Sequence, residues 1–242
     1  MASKLTCRNI KKFIKKKAIL KGISMEASQG QIVSLLGPNG SGKTTTFSVL
    51  CGLIKADEGE LFLDDVDIKD LPMYKRSRLG IGYLPQEPSI FRGLSVEENI
   101  YAVLEMRKLS KSKIRKTLDS LLKDLSLDHI RKSPAVIVSG GERRKLEIAR
   151  ALAADPKFIL LDEPFAGIDP LAIADMKEMI NILKSKGIGV IITDHNVRDT
   201  LPLSDYSYLL FEGKVLVEGT PSDIINNDKA QKLYLGKSFS EK

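Results

Sequence analysis

The chain has 242 residues, of which 43% are hydrophobic, and its formal net charge is +7. This length suits one α/β core with an inserted or appended subdomain. No apolar run approaches the roughly 20 residues of a membrane-spanning helix, and the basic N-terminus lacks the apolar region of a secretion signal. We therefore expect a cytosolic protein without direct membrane insertion.

Lysines cluster at Lys11–Lys17, and a second basic run spans Arg107–Lys116. Such runs are typical of solvated faces, although attraction to an anionic membrane or to nucleic acid is an alternative. Phe13 is the only aromatic residue within the two runs, and a single ring offers little stacking surface, so we expect no nucleic-acid partner. Cys7 and Cys51 have neither metal-binding spacing nor a disulfide framework, and we expect two buried thiols.

Short apolar runs alternate with helical patterns along the chain. The runs cover residues 32–37, 81–85, 158–164, 189–195, 208–213 and 214–219. The first four are continuous, which favours parallel strands buried on both faces, and helices are predicted over 43–54 and 171–187. This order predicts an α/β fold with a doubly wound, mostly parallel core sheet. Residues 58–68 and 211–219 are predicted to form antiparallel ribbons.

Residues 88–150 are rich in helical pattern and poor in strands. One predicted apolar face contains Ile114, Leu118, Leu121, Leu122 and Leu125. We interpret this segment as a helical subdomain inserted into a single domain, 1–242. Its α/β core and antiparallel β subdomain would come from 1–87 and 151–242.

The stretch GPNGSGKTT follows the first apolar run and opens a predicted helix, the context of a phosphate-binding loop. Its residues are Gly37, Pro38, Asn39, Gly40, Ser41, Gly42, Lys43, Thr44 and Thr45. Backbone N–H groups and the helix N-terminus would hold nucleotide phosphates, Lys43 would reach the β- and γ-phosphates, and Thr44 would ligate Mg²⁺.

FILLDEP places Asp162 and Glu163 at the end of a buried strand, where open α/β sheets carry their active sites. Asp162 is predicted to join the Mg²⁺ shell. Glu163 is predicted to orient or deprotonate an attacking water. The two motifs together predict a protein that binds and hydrolyses a nucleoside triphosphate.

A second glycine stretch, VSGGERRK, begins at residue 138. Ser139 is a good helix N-cap, and Gly140 and Gly141 would leave the first backbone N–H groups uncovered. The pattern predicts a second phosphate site, and a simple helix cap is the alternative.

The order of the phosphate loop, YLPQ, SGGE, LLDEP, GIDP and TDH resembles the nucleotide-binding domains of ABC transporters over nearly the whole chain. That resemblance implies a homodimer in which Ser139, Gly140, Gly141 and Glu142 complete the partner's ATP site. It implies that Gln86 reaches Mg²⁺ and the attacking water, that Asp169 crosses the dimer seam, and that His195 contacts the γ-phosphate.

Two positions depart from the family pattern. Val138 and Glu142 stand where the family usually has Leu and Gln, although a carboxylate still favours a first helical turn. The position of the family's adenine-stacking aromatic falls on Ile14, and Phe13 beside it is the nearest candidate for that contact.

Longer stretches, including GIGYLPQEPSIFRGLSVEENI and the tail KLYLGKSF, resemble the ATPase subunits of lipopolysaccharide exporters. This implies two integral-membrane partner subunits, a peripheral position on the cytoplasmic face of the inner membrane, and a docking groove that includes Phe91 and Arg92. A branched-chain amino-acid importer ATPase and a soluble ABC ATPase, as in iron–sulfur assembly, are the alternatives.

Overall fold

The computed structural model describes residues 2–236, so residues 237–239 of the tail stretch KLYLGKSF lie outside the described residues. The strands are β1 Lys4–Ile14, β2 Lys17–Ser28, β3 Ile32–Leu36, β4 Glu58–Leu63, β5 Val66–Asp67, β6 Ile81–Leu84, β7 Phe158–Asp162, β8 Gly189–Thr193, β9 Tyr206–Phe211 and β10 Lys214–Gly219. The helices are α1 Lys43–Cys51, α2 Met73–Arg78, α3 Val96–Glu105, α4 Lys111–Asp124, α5 Gly140–Ala153, α6 Pro170–Ser185, α7 Val197–Thr200, α8 Pro221–Ile225 and α9 Asp228–Ala230.

The main sheet has the order β10-β9-β3-β8-β7-β6. The strands from β9 to β6 are parallel, and β10 is antiparallel to β9. All residues of β3, β7 and β8 are buried, which explains why these strands appear in the sequence as continuous apolar runs. The predicted mostly parallel core sheet is confirmed, and its carboxyl edge gathers the ends of β3, β7 and β8.

The predicted antiparallel ribbon over 211–219 is confirmed, and it belongs to the core sheet. Strands β9 and β10 do form an antiparallel pair, but β9 also pairs in parallel with β3, so the ribbon is the edge of the core sheet. Its strands are recognisable as a hairpin from the intervening turn, whereas the parallel pairing with β3 depends on residues about 170 positions away.

A second sheet, β2-β1-β4-β5, is wholly antiparallel. The sequence predicted only its 58–68 part. The long strands β1 and β2 were missed because polar lysines alternate with buried residues such as Leu5, Cys7, Leu20 and Ile23. The half-buried alternation of an antiparallel sheet is easily taken for a solvated basic segment.

The segment 88–150 is helical, with α3, α4 and most of α5 in it. Its predicted apolar face is buried, because each of those five residues is at most 7% exposed. These side chains share one hydrophobic cluster with Ile159, Leu161 and Ile192 of the core sheet, so helices and sheet pack as one continuous core. Helix α5 crosses residue 150 and ends at Ala153.

Candidate nucleotide-binding site

The phosphate loop connects the buried strand β3 to helix α1, as the sequence predicted. Gly42 is the N-cap of α1 with a φ of 107°, and a Cβ there would approach Leu20 Cδ2 to 2.8 Å. Only glycine adopts this backbone without strain. Since the N-cap has no side chain, no side-chain cap occupies the first N–H groups of α1, and an anion is the natural partner for them.

Lys43 lies folded against its own loop. Its ammonium Nζ donates to the carbonyl oxygens of Gly37 at 2.7 Å and Pro38 at 3.2 Å. Burial lowers the pKa of Lys43, and the charges of Glu163, Asp194 and Asp162 oppose that shift. A buried ammonium close to three carboxylates is well placed to exchange its two carbonyl partners for phosphate oxygens.

A cavity of about 560 Å³ lies beside the loop. It is lined by residues of the phosphate loop and α1, by residues of β2, and by two glutamates: Asn39, Gly40, Gly42, Lys43, Thr44, Thr45, Lys17, Ala18, Ile19, Lys21, Glu163 and Glu212. Its volume falls within the range typical of ligand sites of nucleotide size. The loop residues and Glu163, predicted separately from two motifs, therefore share one cavity.

Asp162 ends β7 and is held by two hydroxyl groups. Thr193 Oγ1 donates to its Oδ1 at 2.6 Å, and Tyr83 OH donates to its Oδ2 at 3.3 Å. Each carboxylate oxygen keeps a further lone pair for a water of a magnesium shell. Burial raises the pKa of Tyr83, with the charge of Asp162 acting in the same direction, so the phenol remains a donor.

Glu163 stands one residue further, at the junction of the strand and the following loop. Its backbone has a φ of 46°, and its N–H donates to Thr193 O at 2.8 Å. The left-handed region is unusual for a residue with a side chain, and such strain concentrates at functional positions. The bond to Thr193 on the neighbouring strand holds this conformation.

His195 follows β8 and faces Glu163. Its Nδ1 lies 3.6 Å from Glu163 Oε2 and 3.7 Å from Asp194 Oδ1. Asp194 itself is fully buried and accepts from the N–H groups of Phe165 and Asn196 at 3.0 and 2.7 Å. Burial raises the pKa of Asp194. Its Oδ2 links the loop after β8 to the loop after β7, and its Oδ1 orders the loop after β8 itself.

The second glycine stretch is a helix N-terminus, as predicted. Ser139 caps α5, and Ser139 with Glu142 forms a capping box in which Ser139 N donates to Glu142 Oε2 at 2.8 Å. These bonds lower the pKa of Glu142. Gly140 and Gly141 are exposed, and a Cβ on either would meet open space. The glycine face of α5 is therefore accessible from outside the chain.

Gln86 and Glu163 line a second cavity. This smaller cavity of about 150 Å³ is lined by Gln86, Gly140, Gly141 and Glu163 among others. Glu163 lines both cavities. The two cavities therefore meet at Glu163, and Gln86 and the glycine face of α5 line the smaller one.

The remaining predicted residues lie at the surface. Phe13 is 43% exposed and pairs across the β1–β2 ribbon with Ala18, which lines the larger cavity. Asp169 caps α6, accepting from Leu171 and Ala172 N–H at 3.0 Å each. Phe91 is 46% exposed beneath the Arg150 guanidinium, and Arg92 is exposed.

Sequence reasoning assigned no role to Tyr83, Thr193, Asp194 or the cavity-lining Lys17 and Lys21. Thr193 and Asp194 stand directly before His195 at the end of a predicted buried strand, and that position was a usable signal. Lys17 and Lys21 carried no such signal, because β2 was not recognised as a strand.

The comparison with protein families matches the ABC transporter family over residues 20–166. The lipopolysaccharide export system ATP-binding protein LptB of Haemophilus influenzae is 49% identical over 97% of this chain and 98% of its own length. The chain belongs to the ABC transporter family. An uncharacterised ABC transporter ATP-binding protein of Rhizobium meliloti is 51% identical to this ABC subunit over 98% of the chain and 87% of the relative.

Solved ABC cassettes share the fold. The ATP-binding cassette MJ1267 in its ADP conformation superimposes with a TM-score of 0.85 at 29% identity, over 98% of this chain and 100% of that one. The dimeric cassette MJ0796 bound to ADP and Pi gives 0.76 at 25% identity, over 90% and 98%. The predicted P-loop ABC ATPase fold is therefore confirmed, and the chain is an ATP-binding ABC ATPase.

Proposed function

We propose that this ABC ATPase hydrolyses ATP in the larger cavity and uses Glu163 as its catalytic carboxylate. The observation that carries this proposal is that Lys43 and Glu163 line one cavity, although 120 residues separate them in the sequence. Lys43 holds the β- and γ-phosphates. Glu163 accepts a proton from the attacking water. The oxygen of that water bonds to the γ-phosphorus while the bond between the γ-phosphorus and ADP breaks.

His195 and Gln86 assist Glu163. His195 lies 3.6 Å from the Glu163 carboxylate and donates a hydrogen bond to a γ-phosphate oxygen. It thereby keeps the γ-phosphate aligned with Glu163. Gln86 lines the smaller cavity together with Glu163 and orients the water. Charge stabilisation and positioning, rather than covalent chemistry, supply most of the rate in phosphoryl transfer.

The oxygen donors at this edge of the sheet fit Mg²⁺. Thr44, Asp162 and Gln86 would hold the ion with the ATP phosphates, and it would neutralise the charge that develops on the β- and γ-oxygens. Within residues 2–236, no three His, Cys, Asp or Glu side chains form a metal cage. Mg²⁺ ordinarily binds through one or two protein oxygens together with substrate phosphates, which agrees with such a site.

We infer that ATP is bound between two copies of the chain. The exposed glycine face of α5 lies outside the larger cavity, whose lining comes from the loop, β2 and Glu163. A face built from Ser139, Gly140 and Gly141 can therefore contact a phosphate held by another subunit, with exposed Asp169 at the seam. The dimeric relative bound to ADP and Pi supports this arrangement.

We further propose that the dimer powers lipopolysaccharide export through two integral-membrane subunits, from the cytoplasmic face of the inner membrane. The near-complete 49% match to a lipopolysaccharide export ATPase supports that substrate. Among residues 2–236, no helix is long and apolar enough to cross a membrane, and exposed Phe91 and Arg92 would contact the membrane subunits.

Co-purification from detergent-solubilised membranes tests this transport proposal. The tagged chain is expected to bring down two integral-membrane subunits, and its depletion should leave newly made lipopolysaccharide in the inner membrane. A branched-chain amino-acid permease among the partners, or a stable complex free of membrane subunits, would contradict the lipopolysaccharide assignment.

A further inference from the structure

The loop that carries Gln86 is attached to one face of helix α5. Arg144 Nη1 donates to Pro85 O at 3.3 Å, and Ser89 N donates to Glu147 Oε1 at 2.8 Å. Arg150 donates to Ser89 O, and its guanidinium carbon lies 4.1 Å from the centre of the Phe91 ring. The three α5 residues are spaced by three positions, so they share one side of the helix. We call residues 85–91 the Gln86 loop.

Glu147 is the centre of this attachment. It is only 5% exposed, and its second oxygen, Oε2, accepts from Arg144 Nη1 at 2.8 Å. One buried carboxylate therefore binds both the loop backbone and the arginine that holds Pro85. Buried charge-assisted hydrogen bonds are strong, and removal of one partner leaves the others unsatisfied.

Helix α5 is anchored in the core and carries the glycine face and the attachment of the Gln86 loop. Leu146, Ile148, Ala149 and Ala153 anchor it in the core with at most 1% exposure. Its N-terminus presents Ser139 and the glycine face, whereas its middle holds the Gln86 loop. The two ends of the loop in turn serve different tasks, with Gln86 beside Glu163 and Phe91 at the surface.

We infer that Glu147 is a positioning residue that makes α5 and the Gln86 loop move as one body. A phosphate bound at the glycine face, in the site shared with the partner subunit, then changes the placement of Gln86 in the subunit's own site and of Phe91 at the groove. The inference rests on the proposed two-subunit ATP site. It makes this buried carboxylate, together with the arginines on either side of it along α5, a link between the two ATP sites.

Hydrogen exchange of the full-length chain tests this role. Peptides from the Gln86 loop are followed in Glu163→Gln protein with and without Mg-ATP, and exchange is expressed relative to peptides from β7. Glu147→Ala is compared with Glu178→Ala, which removes an exposed glutamate on α6. Without nucleotide, Glu147→Ala should speed exchange of the loop at least about fivefold, because one hydrogen bond and its anchor are lost. Glu178→Ala should not.

With Mg-ATP, the loop should exchange more slowly in the Glu178→Ala control and show no such slowing in Glu147→Ala, even though both proteins retain ATP. Glu147→Gln keeps an acceptor for Ser89 but loses the charge and the second acceptor, which Arg144 uses. Its exchange should therefore lie between those of the alanine variant and the control, and it decides the matter if the alanine variant unfolds. If, without nucleotide, the loop exchanges equally fast in the two Glu147 variants and in the Glu178→Ala control, the inference is overturned. So would ATP-induced slowing that survives in both Glu147 variants. Failure of the Glu178→Ala control to retain ATP would instead contradict the proposed function. The role of Glu147 would still be tested by the comparison without nucleotide.

Discussion

His195 Nδ1 lies 3.6 Å from Glu163 Oε2, which joins the loop after β8 to the loop after β7. The contact spans neighbouring parallel strands, since Asp162 is in register with Thr193. The left-handed backbone of Glu163 and the N–H bond to Thr193 aim the carboxylate at the larger cavity. The geometry therefore gives Glu163 and His195 a shared target at that edge of the sheet.

Substitution of Glu163 by Gln should preserve ATP binding and nearly abolish hydrolysis. The amide keeps the shape of the side chain but cannot accept the water's proton, so turnover should fall at least about 100-fold. ATP-induced dimers should then persist in gel filtration. Near-normal turnover would show that another carboxylate is responsible.

Replacement of His195 by Ala should lower turnover at least about tenfold while ATP retention changes little. The imidazole contacts the reacting end of the site and is not among the residues that line the cavity around the phosphate loop. Steady-state hydrolysis and equilibrium ATP binding, measured on the same preparation, separate the two effects. Arg198→Ala, which removes an exposed side chain on α7, is the control. A parallel loss of binding and turnover would assign His195 to nucleotide binding instead.

Substitution of Arg76 should lower the stability of the fold substantially. Arg76 is 1% exposed and donates to four backbone carbonyls, those of Val49, Leu50, Leu71 and Lys69. Arg76→Ala removes the guanidinium donor from all four oxygens, including two at the end of α1, and should lower the free energy of unfolding by about 3 kcal/mol.

Urea denaturation measures this loss against Arg78→Ala, which removes an exposed arginine from the same helix. The control should change stability by less than about 0.5 kcal/mol. Equal effects of the two substitutions would show that the buried hydrogen bonds of Arg76 are not the cause.

Charge reversal at exposed Arg92 should weaken association with the membrane subunits and leave hydrolysis by the isolated chain intact. The side chain lies outside both cavities, so its charge should affect docking rather than catalysis. Co-purification yield and the hydrolysis rate of the isolated chain are the two readouts. An equal fall in both would place Arg92 in the fold or in nucleotide binding.

The sequence predicted the parts of the site that depend on local chemistry. The glycines of the phosphate loop, the acidic pair after β7 and the cap of α5 each follow from a short motif, and the structure places them as expected. Continuous apolar runs likewise identified β3, β6, β7 and β8. These features need no knowledge of distant contacts.

Other features depend on distant partners and could not be predicted from local pattern. Strand β1 binds β2 and β4 through alternate residues, and its exposed lysines concealed that role. Arg76 resembles any surface arginine until four carbonyls surround it. Glu147 likewise follows a basic stretch on an amphipathic helix, and only the folded Gln86 loop gives it an anchor.

The central claim, that each ATP is held between two subunits, is tested most directly by mixed dimers. Subunits with Ser139→Arg, which blocks the N-terminus of α5, are combined with subunits that carry Lys43→Ala, which cannot hold their own phosphates. In a shared arrangement, one composite site receives both lesions and the other receives neither.

Nucleotide retention in purified, differently tagged heterodimers gives the answer under dimer-forming conditions. We expect ATP at about half the wild-type stoichiometry, because one of the two shared sites is intact. Each mutant homodimer should retain little, since both of its sites are damaged. Verified heterodimers that hold no more ATP than either mutant homodimer would contradict the shared site.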